Sequence, residues 1–154
     1  MKEYCWFPSE FLLEEMTSTF KKYAIIILNQ PLPLEHNKFL LLWKRASLKI
    51  CADGGADQLY MLYKYNPDIL PDFIIGDMDS LSNCTLEAYS SKNSTDFGKC
   101  MNLIKSINFP VTDVIALGTF SGRVDQSLES INQAYLASLL TPPINLYLFS
   151  IYQF

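Results

Sequence analysis

The sequence predicts an α/β fold, a doubly wound and mostly parallel sheet with helices on both faces. Short apolar runs that do not alternate with polar residues, such as 23–28, 73–75 and 113–117, read as strands buried on both faces. Stretches between them carry apolar residues at spacings of three and four, the period of helices that cross back over a sheet. The runs end in turns rich in glycine, asparagine and aspartate, which places polar groups together at the strands' carboxyl ends.

Taken in order, residues 1–22 mix aromatic and acidic side chains without a clean period and read as a variable extension, leaving 23–154 as one domain. The first strand, 23–28, stops at Asn29-Gln30-Pro31. Phe39, Leu42, Trp43 and Ala46 mark a helix, and 47–51 a second strand. Ala52-Asp53-Gly54-Gly55-Ala56-Asp57 is a tight turn into a helix predicted over 58–65, which Asn66-Pro67 closes. Pro71 opens the strand 73–75, and Gly76 ends it. A helix is predicted over 81–89 and a polar loop over 90–94. Phe97, Cys100, Met101, Ile104 and Ile107 trace the next helix, with Ser94 or Thr95 as its cap and Asp96 in its first turn. After Pro110 comes the strand 113–117. A glycine-bounded turn, 118–126, then leads into a helix whose period is kept by Val124, Leu128, Ile131, Tyr135 and Leu139. Thr141-Pro142-Pro143 ends that helix before a fifth strand at 144–149.

With 49% hydrophobic and 18% charged residues the 154-residue chain fits one folded domain rather than a disordered tail. Its net charge of −4 and lack of a basic stripe argue against a nucleic-acid partner. No apolar run approaches the roughly 20 residues of a membrane span, and the first residues lack a signal peptide's apolar core, so the expectation is a cytoplasmic protein with no membrane partner. Cys5, Cys51, Cys84 and Cys100 have neither metal-site spacing nor the density of a disulfide scaffold, and read as reduced thiols. His36 is the sole histidine and sits in a polar stretch, which leaves any chemistry to carboxylates, arginine, backbone amides and a metal.

Several turns have both a chemical and a structural reading. Asp77 and Asp79, one residue apart at a strand's carboxyl end, suit Mg2+ and phosphate, or else form a polar turn that caps the next helix. Asp53, Gly54 and Gly55 let backbone approach a ligand, or simply make a tight turn. Asp96 is either a ligand or a complement to the helix dipole. Gly122, Arg123, Asp125 and Gln126 open a helix where amides and a guanidinium favour phosphate, or they form an ordinary helix start. A D-x-D also serves nucleotide-sugar transferases, a reading that the 118–126 turn disfavours.

Five motifs taken together are more specific than any one: Ile27-Leu28-Asn29-Gln30-Pro31, Cys51-Ala52-Asp53-Gly54-Gly55-Ala56, Gly76-Asp77-Met78-Asp79-Ser80, Thr95-Asp96-Phe97 and 118–126. In this order they resemble the eukaryotic thiamine pyrophosphokinases over residues 23–149. The resemblance implies a homodimeric enzyme that takes ATP and thiamine, moves a diphosphate to thiamine's hydroxyl with Mg2+ and releases AMP. It implies metal and catalytic roles for Asp77, Asp79 and Asp96, and a catalytic role for Arg123. The nucleotide site it implies comprises Gln30, Asp53, Gly54, Gly55, Gly122, Arg123, Asp125 and Gln126.

Two features depart from the family pattern. Only 89–94 fills the connection before Thr95, where the family carries a further strand and an acidic run. The family's C-terminal β domain, which helps form the dimer and the thiamine pocket, is absent from these residues. The expectation is a shortened chain that forms little thiamine diphosphate alone. The alternative is a non-catalytic nucleotide-binding or dimerising fragment that modulates full-length subunits.

Overall fold

Tyr23–Ile27, buried from end to end, forms β1 at the centre of the sheet. The computed structural model describes residues 22–32, 34–63, 68–77, 95–107, 110–120 and 122–150. All of the extension 1–22 except Lys22, the predicted helix 81–89 and the loop 90–94 lie outside the described residues. The remaining elements are α1 (His36–Arg45), β2 (Leu48–Ala52), α2 (Gly55–Tyr63), β3 (Phe73–Ile75), α3 (Asp96–Ser106), β4 (Asp113–Leu117), α4 (Val124–Ser138) and β5 (Asn145–Phe149).

All neighbouring strands are parallel and their order is β3-β2-β1-β4-β5. Ile27 pairs with Cys51 on one side and Leu117 on the other, and Leu117 with Phe149, so the carboxyl ends finish almost level. The chain winds outward from β1 to β3, then resumes on the other side of β1 with β4. The crevice between β1 and β4 is therefore the topological switch point, where open sheets of this kind bind ligands.

Alternate residues of each strand feed two cores. Tyr23, Ile25 and Ile27 face α1 and α2, where Phe39, Leu42, Trp43 and Leu59 pack. Ala24 and Ile26 face α3 and α4, packing with Ile50, Met101, Ile104 and Ala137. Burial of a side chain such as Ile25 or Ile26, each 0% exposed, contributes about 1.5–3 kcal/mol. Tyr23 also ties β1 to α1 by donating its hydroxyl to the Leu42 carbonyl at 2.6 Å.

Two expectations need correction. The helix placed at 58–65 begins at Gly55, because the Asp53 carbonyl accepts from Ala56 N–H at 3.1 Å and the Gly54 carbonyl from Gln58 N–H at 3.2 Å, closing the turn straight into helix. The helix placed at 39–46 begins at His36, since the Glu35 carbonyl accepts from Phe39 N–H at 2.9 Å. In α4 the residues whose period marks the helix do not face the core. Val124, Leu128, Ile131, Tyr135 and Leu139 are all exposed, while Ser130, Gln133 and Ala137 turn inward. Small Ala137 permits close packing on the sheet, and Ser130 and Gln133 meet their polar needs within α4 through the Gln126 carbonyl and Glu129.

Candidate active site

The residues that follow the strands converge at the switch point. Gln30 after β1, Asp53 after β2, Asp96 at the start of α3, and Arg123, Asp125 and Gln126 at the start of α4 line one cleft of about 340 Å3. Six residues singled out from scattered turns of the sequence thus share one cavity.

Close backbone packing shapes this cleft. Gly54 and Gly55 do not line it, and they serve contact behind it. A Cβ on Gly55 would meet the Ile27 carbonyl oxygen at 2.3 Å, and one on Gly54 the Asn29 side chain at 2.4 Å. Gly122 has φ of 81° and leaves room for Gln30, whose Nε2 a Cβ there would meet at 2.8 Å. Asp53 itself has φ of 42°, a left-handed conformation that aspartate tolerates better than most residues. Its side chain is nearly buried, and its Oδ1 has no hydrogen-bond partner among the described residues. A buried acceptor without a partner, on the wall of a cleft, is a place for a ligand's donor.

Arg123 is the residue before α4, and its own side chain does not cap that helix. The helix start therefore offers amides to an anion. Arg123 is itself held by Asp125, with Nε to Oδ1 at 3.0 Å and Nη2 to Oδ2 at 2.5 Å. These hydrogen bonds keep the Asp125 carboxyl below the usual range and raise the guanidinium. Both side chains are largely exposed, so the pair can be exchanged for a phosphate at low cost.

Asp77 enters from the flank. Its Oδ1 accepts from the Lys99 ammonium at 2.5 Å, and the same ammonium donates to Asp96 Oδ1 at 2.9 Å. Burial opposes the charge on Lys99, and the two carboxylates outweigh it, so its ammonium holds its proton beyond the ordinary lysine range. Asp79 lies outside the described residues. Among the described residues no three acidic, histidine or cysteine side chains converge as a complete metal cage. Two carboxylates around one cationic group are nonetheless what Mg2+ needs, because it commonly takes one or two carboxylates and completes its shell with water and substrate phosphates. The two carboxylates are suited to such an ion, and in this structure they share the Lys99 ammonium.

Three participants were not read from the sequence. Lys99 had a local signal, its position three residues after Asp96 on a helix, although it lies within an apolar period. Glu129 lines the cleft and accepts from Thr95 Oγ1 at 2.9 Å and from Gln133 Nε2 at 2.7 Å, tying α3 to α4; only tertiary structure reveals it. Phe120 lines the mouth with φ of 55° and is 40% exposed, a strained conformation for an aromatic residue. Thr95 is the cap expected of it, its Oγ1 accepting from Gly98 N–H at 3.1 Å.

Comparison with known proteins gives one answer. Residues 39–148 match the family described as thiamin pyrophosphokinase, catalytic domain. The chain is 35% identical over 154 residues to thiamine pyrophosphokinase 1 of Arabidopsis thaliana, covering 82% of this chain and 56% of that one. It is 31% identical over 175 residues to thiamine pyrophosphokinase of Saccharomyces cerevisiae, covering 75% and 54%. The crystal structure of yeast thiamin pyrophosphokinase superposes with a TM-score of 0.73 at 27% identity, over 93% of this chain and 62% of that one. The chain spans about half the length of the curated relatives it matches.

Proposed function

This chain belongs to the thiamin pyrophosphokinase family, and from that premise we propose that it binds ATP in the cleft between β1 and β4 and takes part in moving its diphosphate to thiamine. One observation carries the reading: Gln30, Asp53, Asp96, Arg123, Asp125 and Gln126 face one cavity at the sheet's switch point. In the proposed reaction the thiamine hydroxyl oxygen bonds to the β-phosphorus of ATP, the bridge from that phosphorus to the α-phosphate breaks, and AMP leaves with the bridging oxygen. The hydroxyl proton departs to solvent or a nearby carboxylate.

Such a transfer asks for charge compensation and in-line positioning more than for covalent help from the protein. Arg123 and the first-turn amides of α4 bind phosphate oxygens, with Arg123 exchanging Asp125 for a phosphate. Asp53 accepts a donor from the nucleotide. Gln30 and Gln126 orient it, and Glu129 fixes Thr95 so that Asp96 keeps its position. Asp77 and Asp96, with Asp79 two residues further along the sequence, would hold Mg2+, which when bound supplies positive charge to the phosphates. A homodimer belongs to the proposal, supported by the exposed apolar stripe of α4. A cytoplasmic location also belongs to the proposal, supported by four cysteines whose spacing in the sequence suits reduced thiols.

The experiment supplies Mg2+, ATP and thiamine and separates products by chromatography, expecting the little thiamine diphosphate that this chain forms alone to be matched by AMP in equal amount. Formation of ADP with thiamine monophosphate would overturn the diphosphate assignment. Calorimetry showing no ATP binding with Mg2+ present would remove the cleft assignment altogether.

A further inference from the structure

Lys99 combines two properties that rarely occur together without a purpose. Its side chain is only 4% exposed, set among the buried α3 residues Phe97, Cys100 and Met101, yet its ammonium reaches carboxylates from two separate elements. Asp77 follows β3 and Asp96 begins α3, and both retain solvent access, with side chains 65% and 35% exposed. An ammonium taken out of water is costly unless it is well paired. Two carboxylates turned toward one point repel unless a cation lies between them.

We propose that Lys99 is a placeholder cation: it occupies the position between Asp77 and Asp96 while the cleft is empty, and yields it when a divalent ion arrives with the nucleotide. Metal binding is then weak without nucleotide and strong with it, and the displaced ammonium turns to the phosphate that accompanies the metal. Lys99 is a positioning residue in this scheme, since it acts on the metal only by competing for the place between Asp77 and Asp96. The inference rests on the proposal that Asp77 and Asp96 hold Mg2+.

The sign of the effect separates this role from a merely structural one. A lysine that only braces the fold would, on removal, loosen the carboxylates and weaken metal binding. A placeholder, on removal, strengthens it. The test counts bound Mn2+ by electron paramagnetic resonance in wild type and Lys99→Met, without nucleotide and with α,β-methylene-ATP. The expected result is nucleotide-free Mn2+ affinity at least tenfold higher in Lys99→Met. Lys105→Met, which removes the same charge from the exposed last turn of α3, should match wild type.

Unchanged or weaker nucleotide-free affinity in Lys99→Met, with wild type still binding Mn2+ beside the analogue, overturns the placeholder and leaves the magnesium assignment standing. Wild type that takes up no Mn2+ even with the analogue overturns both. Should Lys99→Met fail to fold, nitrogen NMR of the wild-type lysine side chains decides. The Lys99 ammonium signal, slow to exchange while held by two carboxylates, should shift and exchange faster on addition of Mg2+ and analogue. A signal that stays in place at saturation means that the ion binds elsewhere on these carboxylates, and the proposal fails.

Discussion

Asp113 and Asp53 are the same residue type, both buried, at opposite ends of the same sheet, and the protein treats them differently. Asp113 begins β4 with no exposure, and its carboxylate is met on every side: Tyr147 Oη and Asn145 Nδ2 each donate to Oδ1 at 3.1 Å, and Thr112 Oγ1 donates to Oδ2. Asp53 follows β2 at the other edge, and among the described residues its Oδ1 meets no donor. Burying an acceptor without a partner costs about 1–3 kcal/mol, so folding gains nothing from leaving Asp53 in this state. The amino-terminal edge of the sheet is finished within the protein, and the carboxyl-terminal edge is completed by what binds there.

The largest effect expected from this comparison is at the finished edge. Asp113→Ala removes the acceptor from buried Tyr147 Oη and should cost about 1–3 kcal/mol in urea unfolding, while the folded fraction keeps its affinity for Mg-ATP. A loss of nucleotide binding at full stability would erase the distinction between the two edges.

At the open edge the same removal should act the other way round. Asp53→Asn is the suitable change because asparagine accepts the left-handed backbone at this position, so strain does not confuse the outcome. Stability should stay within about 0.5 kcal/mol of wild type, as no internal hydrogen bond is lost at Oδ1. Affinity for Mg-ATP should fall about tenfold, the equivalent of about 1.4 kcal/mol, measured by calorimetry. Stability loss matching Asp113→Ala, with binding intact, would make Asp53 a second structural carboxylate.

The strands were legible because burial on both faces writes itself as uninterrupted apolar residues: β4 and β3 have the bounds the sequence suggested. The cleft residues were legible because they sit in turns where glycine and aspartate stand out against such runs. α4 shows where this reasoning fails. Its apolar residues announce a helix but not its orientation, since Ala137 packs more closely on the sheet than larger side chains could, and the stripe is left outside. Glu129 was hidden for a related reason. A glutamate on a helix is unremarkable until another helix brings Thr95 to it. Lys99 is hidden because a lysine within an apolar helix ordinarily keeps its charge in water, whereas here two carboxylates meet it inside.

The smallest effect tests whether the open edge contains any internal bond that matters to folding. Arg123 and Asp125 form a two-bond pair, which on geometry alone resembles the satisfied groups around Asp113. Exposure argues otherwise, because solvent screens the pair and already satisfies both partners when they separate. Hydrogen bonding from Arg123 lowers the Asp125 carboxyl in the folded chain. A carboxyl lowered on folding stabilises above its unfolded value of about 3.9, and that contribution fades as pH falls through the lower folded value. Any advantage of wild type over Asp125→Asn must therefore be fully present at pH 7 and vanish under strong acid. Urea midpoints of the two proteins should coincide within error at pH 7, and so leave no gap to close on acidification. A clear wild-type advantage at pH 7 that disappears toward pH 3 would mean that Arg123 and Asp125 hold the fold together. The carboxyl edge would then be partly finished before any ligand arrives, as the Asp113 edge is.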